Sequence, residues 1–187
     1  MHEPTPPELI DSSTGSFDFS AVAPGAHVAP QLARDFRDVL GRFASGVTVV
    51  TAAAGSGPVG LTCQSFSSVS LEPPLVAFLP ARTSRAWPMM RAAGHFTVNL
   101  LSADQEELSD QFAAKGVDKF AGVGWSAAPA TGAPRLDGCL GWIDCAIHAV
   151  HAAGDHYIVL GRVQELVVGE AEEPLVFYRS AYHRLAE

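Results

Sequence analysis

Residues 139–168 read CLGWIDCAIHAVHAAGDHYIVLGRVQELVV. Two apolar stretches rich in β-branched residues, 139–151 and 157–168, flank Ala152-Ala153-Gly154-Asp155-His156. A short segment with Gly and Asp between two such stretches is turn chemistry, so the thirty residues predict a long antiparallel hairpin. Working outward, the β-branched run Val47–Thr51 and the segment resuming at Val59 predict a second hairpin across a glycine-rich turn. Further strands are expected at Leu75–Leu79, His95–Leu101 and Leu175–Tyr178, with helices near Ser84–Arg91 and Asp104–Ala114. From Gln31, the residues Leu32, Phe36, Val39, Leu40 and Phe43 recur at spacings of three and four, the single stripe of an amphipathic helix of three to four turns. About seven strands joined more often by turns than by helices predict a mostly β, largely antiparallel barrel decorated by helices, not a doubly wound parallel sheet.

The 187 residues are 48% hydrophobic and 17% charged, enough apolar material for one core. Residues 1–30 are rich in Pro, Ser, Thr and Gly and read as an N-terminal extension to a domain spanning 31–187. A net charge of -8 argues against nucleic acid as a partner. No apolar run reaches the roughly 18 residues that span a bilayer, and the N-terminus lacks the features of a signal peptide, so no membrane association is expected and the chain reads as cytoplasmic. Three cysteines without C-x-x-C spacing fit a reducing compartment and free thiols. His148 and His151, three apart in a strand, point to opposite faces, and no metal centre is expected.

Gly55-Ser56-Gly57-Pro58-Val59-Gly60 satisfies G-x-G-x-x-G. That fingerprint holds a pyrophosphate only when a helix opens inside the glycine loop, and Leu61-Thr62-Cys63-Gln64-Ser65-Phe66 has no helical stripe. The glycines read as a turn between strands. The stretch that follows, LTCQSFSSVSLEPP (61–74), sets six polar neutral side chains, Thr62, Gln64, Ser65, Ser67, Ser68 and Ser70, around Phe66 with only one charge. Ser and Thr on the exposed face of an antiparallel strand explain such a pattern. So does a flavin, whose ring edge alternates donors and acceptors and whose phosphate can be held by hydroxyls and amides.

From about Phe36 to Leu185 the chain resembles the flavin reductase components of two-component flavin-dependent monooxygenases. The matching segments, in order, are FASGVTVVT (43–51), GLTCQSFSSVSLEPPLV (60–76), FTVNLLSADQ (96–105), DKFAG (118–122), AGDHYIVLGRV (153–163) and PLVFYRSAYHRL (174–185). Within that family the similarity is greatest to reductases serving phenol-type hydroxylases, including those of steroid-ring degradation. The resemblance implies a flavin-binding split β-barrel that takes a hydride from NADH or NADPH, reduces FAD or FMN, and hands the product to a separate oxygenase. It also implies a homodimer. A flavin-binding electron carrier or sensor without nicotinamide turnover is the alternative, and an oxidase of the pyridoxamine-phosphate type is a third.

Residue by residue, the resemblance assigns Thr62, Cys63, Gln64, Ser65 and Phe66 to the flavin ring, with Ser68 and Val69 just beyond. Cys63-Gln64 stands where many relatives have Ala-Asn, which keeps an amide and lengthens it. Thr83, Ser84 and Arg85 match the loop that meets the flavin phosphate or adenylate, with Arg85 supplying positive charge. Asn99 matches a polar position inside an apolar strand, where a buried amide must find partners. His156 matches the nicotinamide-side histidine, expected to position the donor and not to supply a proton, and Tyr182 matches a tyrosine near the same pocket.

Overall fold

The computed structural model describes residues 29–185, so all but the last two residues of the expected extension lie outside the described part. In chain order the elements are α1 (Pro30–Leu40), β1 (Ser45–Gly46), β2 (Thr48–Ala54), β3 (Gly57–Cys63), β4 (Phe66–Leu71), β5 (Pro74–Phe78) and α2 (Trp87–Ala93). There follow β6 (His95–Leu100), α3 (Glu106–Ala113), β7 (Trp125–Ala127), β8 (Pro134–Leu136), β9 (Gly141–Ala153), β10 (His156–Val168), β11 (Val176–Tyr178) and β12 (Ala181–His183). Seven strands form one sheet in the order β3-β2-β6-β9-β10-β5-β4, and every pairing in it is antiparallel.

The long hairpin is the spine of this sheet. β9 and β10 pair along nearly their whole length, with shifts at Leu160/Gly161 and Val163/Glu165. Its turn is tighter than the five residues expected: Gly154 and Asp155 alone make it, with Gly154 at φ 60°, a conformation that costs glycine nothing. His156 is therefore the first residue of β10 and not a turn residue.

The two edges of the sheet, β3 and β4, are consecutive in the chain and are separated only by Gln64 and Ser65. The sheet must curl until its edges meet at that corner, yet β3 and β4 do not pair. This is a split barrel. Its interior holds Val50, Val76, Phe78, Phe96, Val98 and Val159, closed by Trp87 and Met90 of α2. A second core on the other side of β2 gathers Val49, Leu101, Phe112, Leu136 and Leu175. Val49 and Val50 face opposite ways because side chains alternate along a strand, and both are fully buried. That fits the β-branched run Val47–Thr51, and the burial of β2 shows no polar–apolar alternation.

The helix stripe of α1 is where the packing departs from expectation. Its apolar residues lie along one face, but no residue of α1 is buried. Leu32, Phe36, Val39, Leu40 and Phe43 are each 53–79% exposed.

Tight packing at one glycine gives a direct test of the barrel. A Cβ on Gly161 would lie 2.3 Å from the Phe96 ring and 3.1 Å from the Cys145 Cβ, both fully buried. Gly161→Ala is expected to cost about 1–3 kcal/mol by overpacking, read as a lower urea midpoint at unchanged slope. An unchanged midpoint would show that the Phe96 layer is loose.

Candidate functional site

The corner between β3 and β4 opens onto a cleft of about 740 Å³, lined on one side by Gln64, Ser65, Phe66 and Ser67 and elsewhere by Leu79 and Phe43 among others. The corner is pinned from several directions. Thr48 Oγ1 donates to the Cys63 carbonyl at 2.7 Å, the Leu79 N–H donates to the Ser65 carbonyl at 3.2 Å, and the Ser65 hydroxyl donates to the Leu79 carbonyl at 3.3 Å. The Phe66 N–H closes back on the Gln64 carbonyl at 2.9 Å. Among the described residues, the N–H groups of Gln64 and Ser65 themselves donate to nothing. Backbone donors held in a fixed place without an acceptor are a ready site for a ligand's oxygens and nitrogens.

The expected corner residues part company here. Gln64, Ser65 and Phe66 line the cleft. Cys63 is buried beneath it, its Sγ 3.3 Å from the Ser65 hydroxyl. Thr62 spends its hydroxyl on the Ser109 carbonyl of α3. Ser68 and Val69 lie farther along the exposed edge of β4, at a register shift between Ser68 and Ser70, and do not line the cleft. Ser67 does line it. The sequence singles out Ser67 only as one of six polar side chains in a run left open between an exposed strand face and a flavin site.

A second cluster follows directly. Two residues beyond Leu79, Ala81 bridges His156. The Tyr157 N–H donates to Pro80, the Arg82 N–H to Asp155, and an Arg82 guanidinium nitrogen to Gly154. The 80–85 loop is thus tied to the tip of the β9–β10 hairpin, and an extended pair of residues spans only about 7 Å. Ser65 is thus linked to His156 through Leu79 and Ala81, although His156, Thr83, Ser84 and Arg85 do not themselves line the cleft. In the loop, Ser84 Oγ accepts the Trp87 N–H at 3.2 Å, so its oxygen already serves the start of α2. Thr83 and Arg85 are exposed, and the Thr83 and Arg85 N–H groups donate to nothing among the described residues. His156 Nδ1 lies 2.7 Å from Asp155 Oδ1. This hydrogen bond first, and then the imidazole charge, hold the Asp155 carboxyl below its ordinary value. In the neutral ring that bond places the proton on Nδ1 and leaves Nε2 as an acceptor.

Two expected residues lie away from this rim. Asn99 is fully buried, and its amide bridges Val49, Thr51 and Pro134 while its oxygen accepts the Leu136 N–H at 2.7 Å. Every polar atom of the side chain is spent on fastening the β7–β8 hairpin to the sheet. Tyr182 packs on Phe177, and its hydroxyl is 2.9 Å from both Ser109 Oγ and Asp110 Oδ1. Burial above all pushes its phenol up. Through Ser109 it shares a support with Thr62, so it braces the back of β3 and touches neither His156 nor the hairpin tip.

Among the described residues no group of three His, Cys, Asp or Glu side chains could hold a metal ion, and no helix is long and apolar enough to cross a membrane.

Residues 40–186 match the family described as flavin reductase like domain. The reductase subunit HsaB of a flavin-dependent monooxygenase from Rhodococcus jostii is 46% identical over 149 residues, covering 80% of this chain and 76% of that protein. Nitrilotriacetate monooxygenase component B from Mycobacterium thermoresistibile superposes with a TM-score of 0.80 at 43% identity, covering 83% of this chain and 88% of the other. The Streptomyces globisporus NADH:FAD oxidoreductase SgcE6, solved with NAD and FAD fragments, gives a TM-score of 0.79 at 38% identity and covers 87% and 98%. The chain belongs to the flavin reductase like family.

The thiols near the site allow one check that needs no ligand. Burial above all pushes Cys139 and Cys145 up to about 12, so neither forms a reactive thiolate near pH 8. A thiol-specific disulfide reagent is expected to find at most one of the three free cysteines in the folded protein and all three after denaturation. Fast labelling of two or more in the native state would contradict the buried positions.

Proposed function

We propose, from its membership of the flavin reductase like family, that this protein is an NADH-dependent flavin reductase that reduces FAD or FMN and supplies reduced flavin to a partner monooxygenase. One observation carries this: a cleft whose rim offers unpaired backbone donors and neutral polar side chains at Gln64–Ser67 is also lined by Leu79, and the loop that follows Leu79, which holds Thr83 and Arg85, is tied to the hairpin tip at His156. Such a rim suits a flat ring that asks for many neutral hydrogen bonds. The family's flavin supplies the hydride acceptor, and NADH supplies the hydride.

The chain's own residues orient and shield. Gln64, Ser65 and Phe66 would hold the ring edge through main-chain groups, and the exposed Thr83 and Arg85, with their free N–H groups, would meet the phosphate. His156, its Nδ1 tied to Asp155, presents Nε2 toward a nicotinamide amide and fixes its distance from the flavin. Positioning of that kind is where catalysis without an acid–base pair finds its rate. An alternative without nicotinamide turnover gives His156 no task. Three free thiols support a reducing compartment, and we place the enzyme in the cytoplasm.

Two variants separate ring binding from donor positioning. Ser65→Trp is expected to weaken flavin binding while the fold survives, because the exposed corner backbone must approach the ring. His156→Ala is expected to lower kcat/KM for NADH by roughly tenfold to a hundredfold, the loss of one contact of about 1–3 kcal/mol, with flavin affinity nearly intact. Flavin titration and steady-state kinetics decide both; unchanged flavin affinity in the first variant, or parallel loss of flavin in the second, moves the site elsewhere.

We also propose that the protein is a homodimer. The stripe of α1 with Phe43 is 53–79% exposed, and its Leu40 and Phe43 line the cleft; this is apolar surface that a second copy would cover. Sedimentation at micromolar concentration is expected to give twice the 19.7 kDa chain mass. A single species at 19.7 kDa would refute the pairing.

A further inference from the structure

The apolar stripe of α1 runs on past the last helical residue. The Arg42 N–H donates to the Val39 carbonyl at 3.1 Å and the Phe43 N–H to the Leu40 carbonyl at 3.0 Å, and such bonds to the third residue back keep one more turn wound in the helical sense. Leu32, Phe36, Val39, Leu40 and Phe43 therefore make one face about three turns long. None of the five belongs to either core of the chain.

The flanks of that face carry the information about what covers it. At about 100° per residue, Asp35 and Arg42 stand two turns apart on the same flank, and Ala33 borders the other. Both charged residues are exposed, and neither joins an ion pair among the described residues. The Asp35 carboxylate accepts from the Gln31 amide of its own helix at 2.7 Å. Within one chain the two charges cannot meet, because seven residues along a helix span about 10.5 Å.

Two copies of the face complement each other in the antiparallel sense. Phe36 of each copy then meets Val39 of the other, Leu32 meets Phe43, and Leu40 meets Ala33, so every layer is apolar. The same register sets Asp35 of each copy against Arg42 of the other, and the twofold symmetry makes this contact twice. A parallel pair sets Asp35 beside the apolar Leu40 and leaves both charges unanswered. A lipid surface fits less well, since Arg34 and Arg37 are balanced along α1 by Asp35 and Asp38, whereas a helix that lies on anionic lipid carries an excess of cations.

We propose that α1 packs antiparallel on α1 of a second copy, with Phe36 against Val39, Leu32 against Phe43 and Asp35 against Arg42 across the twofold axis. The proposal rests on the homodimer reading above and gives that dimer its contact surface. Because Phe43 lines the cleft, Leu32 of the second copy comes to stand beside it.

The test is sedimentation equilibrium of the full-length protein over a range of concentrations. Asp35→Arg and Arg42→Asp each bring like charges face to face at two places, and each is expected to raise the dimer Kd by about tenfold or more. The double variant D35R/R42D restores both pairs with their signs exchanged and is expected to lie within about threefold of wild type. Since no residue of α1 is buried, these variants should keep the fold, which circular dichroism checks. Phe36→Glu removes the central contact, leaves both charges in place, and is expected to give monomers where wild type is dimeric; it serves if a charge variant frays the helix. Weakening by the single variants without recovery in the double overturns the register. A dimer indifferent to all four variants joins through another surface, which overturns the proposal and keeps the homodimer. A monomeric wild type removes both, and its binding to anionic lipid vesicles would give the stripe to a membrane surface instead.

Discussion

The bond pair between Ser65 and Leu79 fixes what the rest of the molecule can do. A seven-stranded sheet whose edge strands are joined by two residues has to bring those edges together at one point and let them part everywhere else. At the meeting point the main chain turns too sharply to continue either ladder, so Gln64 and Ser65 keep N–H groups with no partner among the described residues. The same pair of bonds sets where Ala81 falls, and hence where the hairpin tip with His156 meets the barrel. The topology therefore links the cleft, where we propose the ring binds, to the hairpin tip, where we propose the donor binds.

The electrostatics follow the same division of labour. Charges are few around the corner, whose groups are neutral donors and acceptors, and between Glu72 and Asp104 the only Asp, Glu, Lys or Arg residues are Arg82, Arg85 and Arg91. In a chain of net -8 this leaves a local stretch of positive charge. Several polar groups behind the corner, in contrast, are spent internally. Asn99 ties one hairpin to the sheet, and Thr62, Ser109 and Tyr182 tie β3 to α3 and the C-terminal strands. These bonds hold the corner rigid from behind, which is what a positioning site requires.

What was legible in the sequence was what is periodic or has turn chemistry. The 139–168 hairpin announced itself by apolar runs around Gly154-Asp155, and β2 by the β-branched run Val47–Thr51. The β4 strand was hidden because Ser67, Ser68 and Ser70 face solvent or the cleft on an edge strand, where burial does not impose alternation. Residues 125–136 gave no strand signal, since the β7–β8 pair is only three residues long on each side and is secured by Asn99 from a distant part of the chain. The stripe of α1 was read correctly as a pattern, but a pattern does not name the surface that covers it. Cys63 and Thr62 share the segment of the corner but neither lines the cleft, because Cys63 is buried and Thr62 bonds the Ser109 carbonyl.

The central claim is that flavin lies on the Gln64–Ser67 corner with its phosphate toward Thr83 and Arg85. A crystal structure of the protein soaked with oxidised FMN tests it most directly. The account predicts the ring edge within hydrogen-bond distance of the Gln64 and Ser65 N–H groups, with His156 beside its open face. A ring bound away from that corner, with those two N–H groups still unpaired, would contradict it.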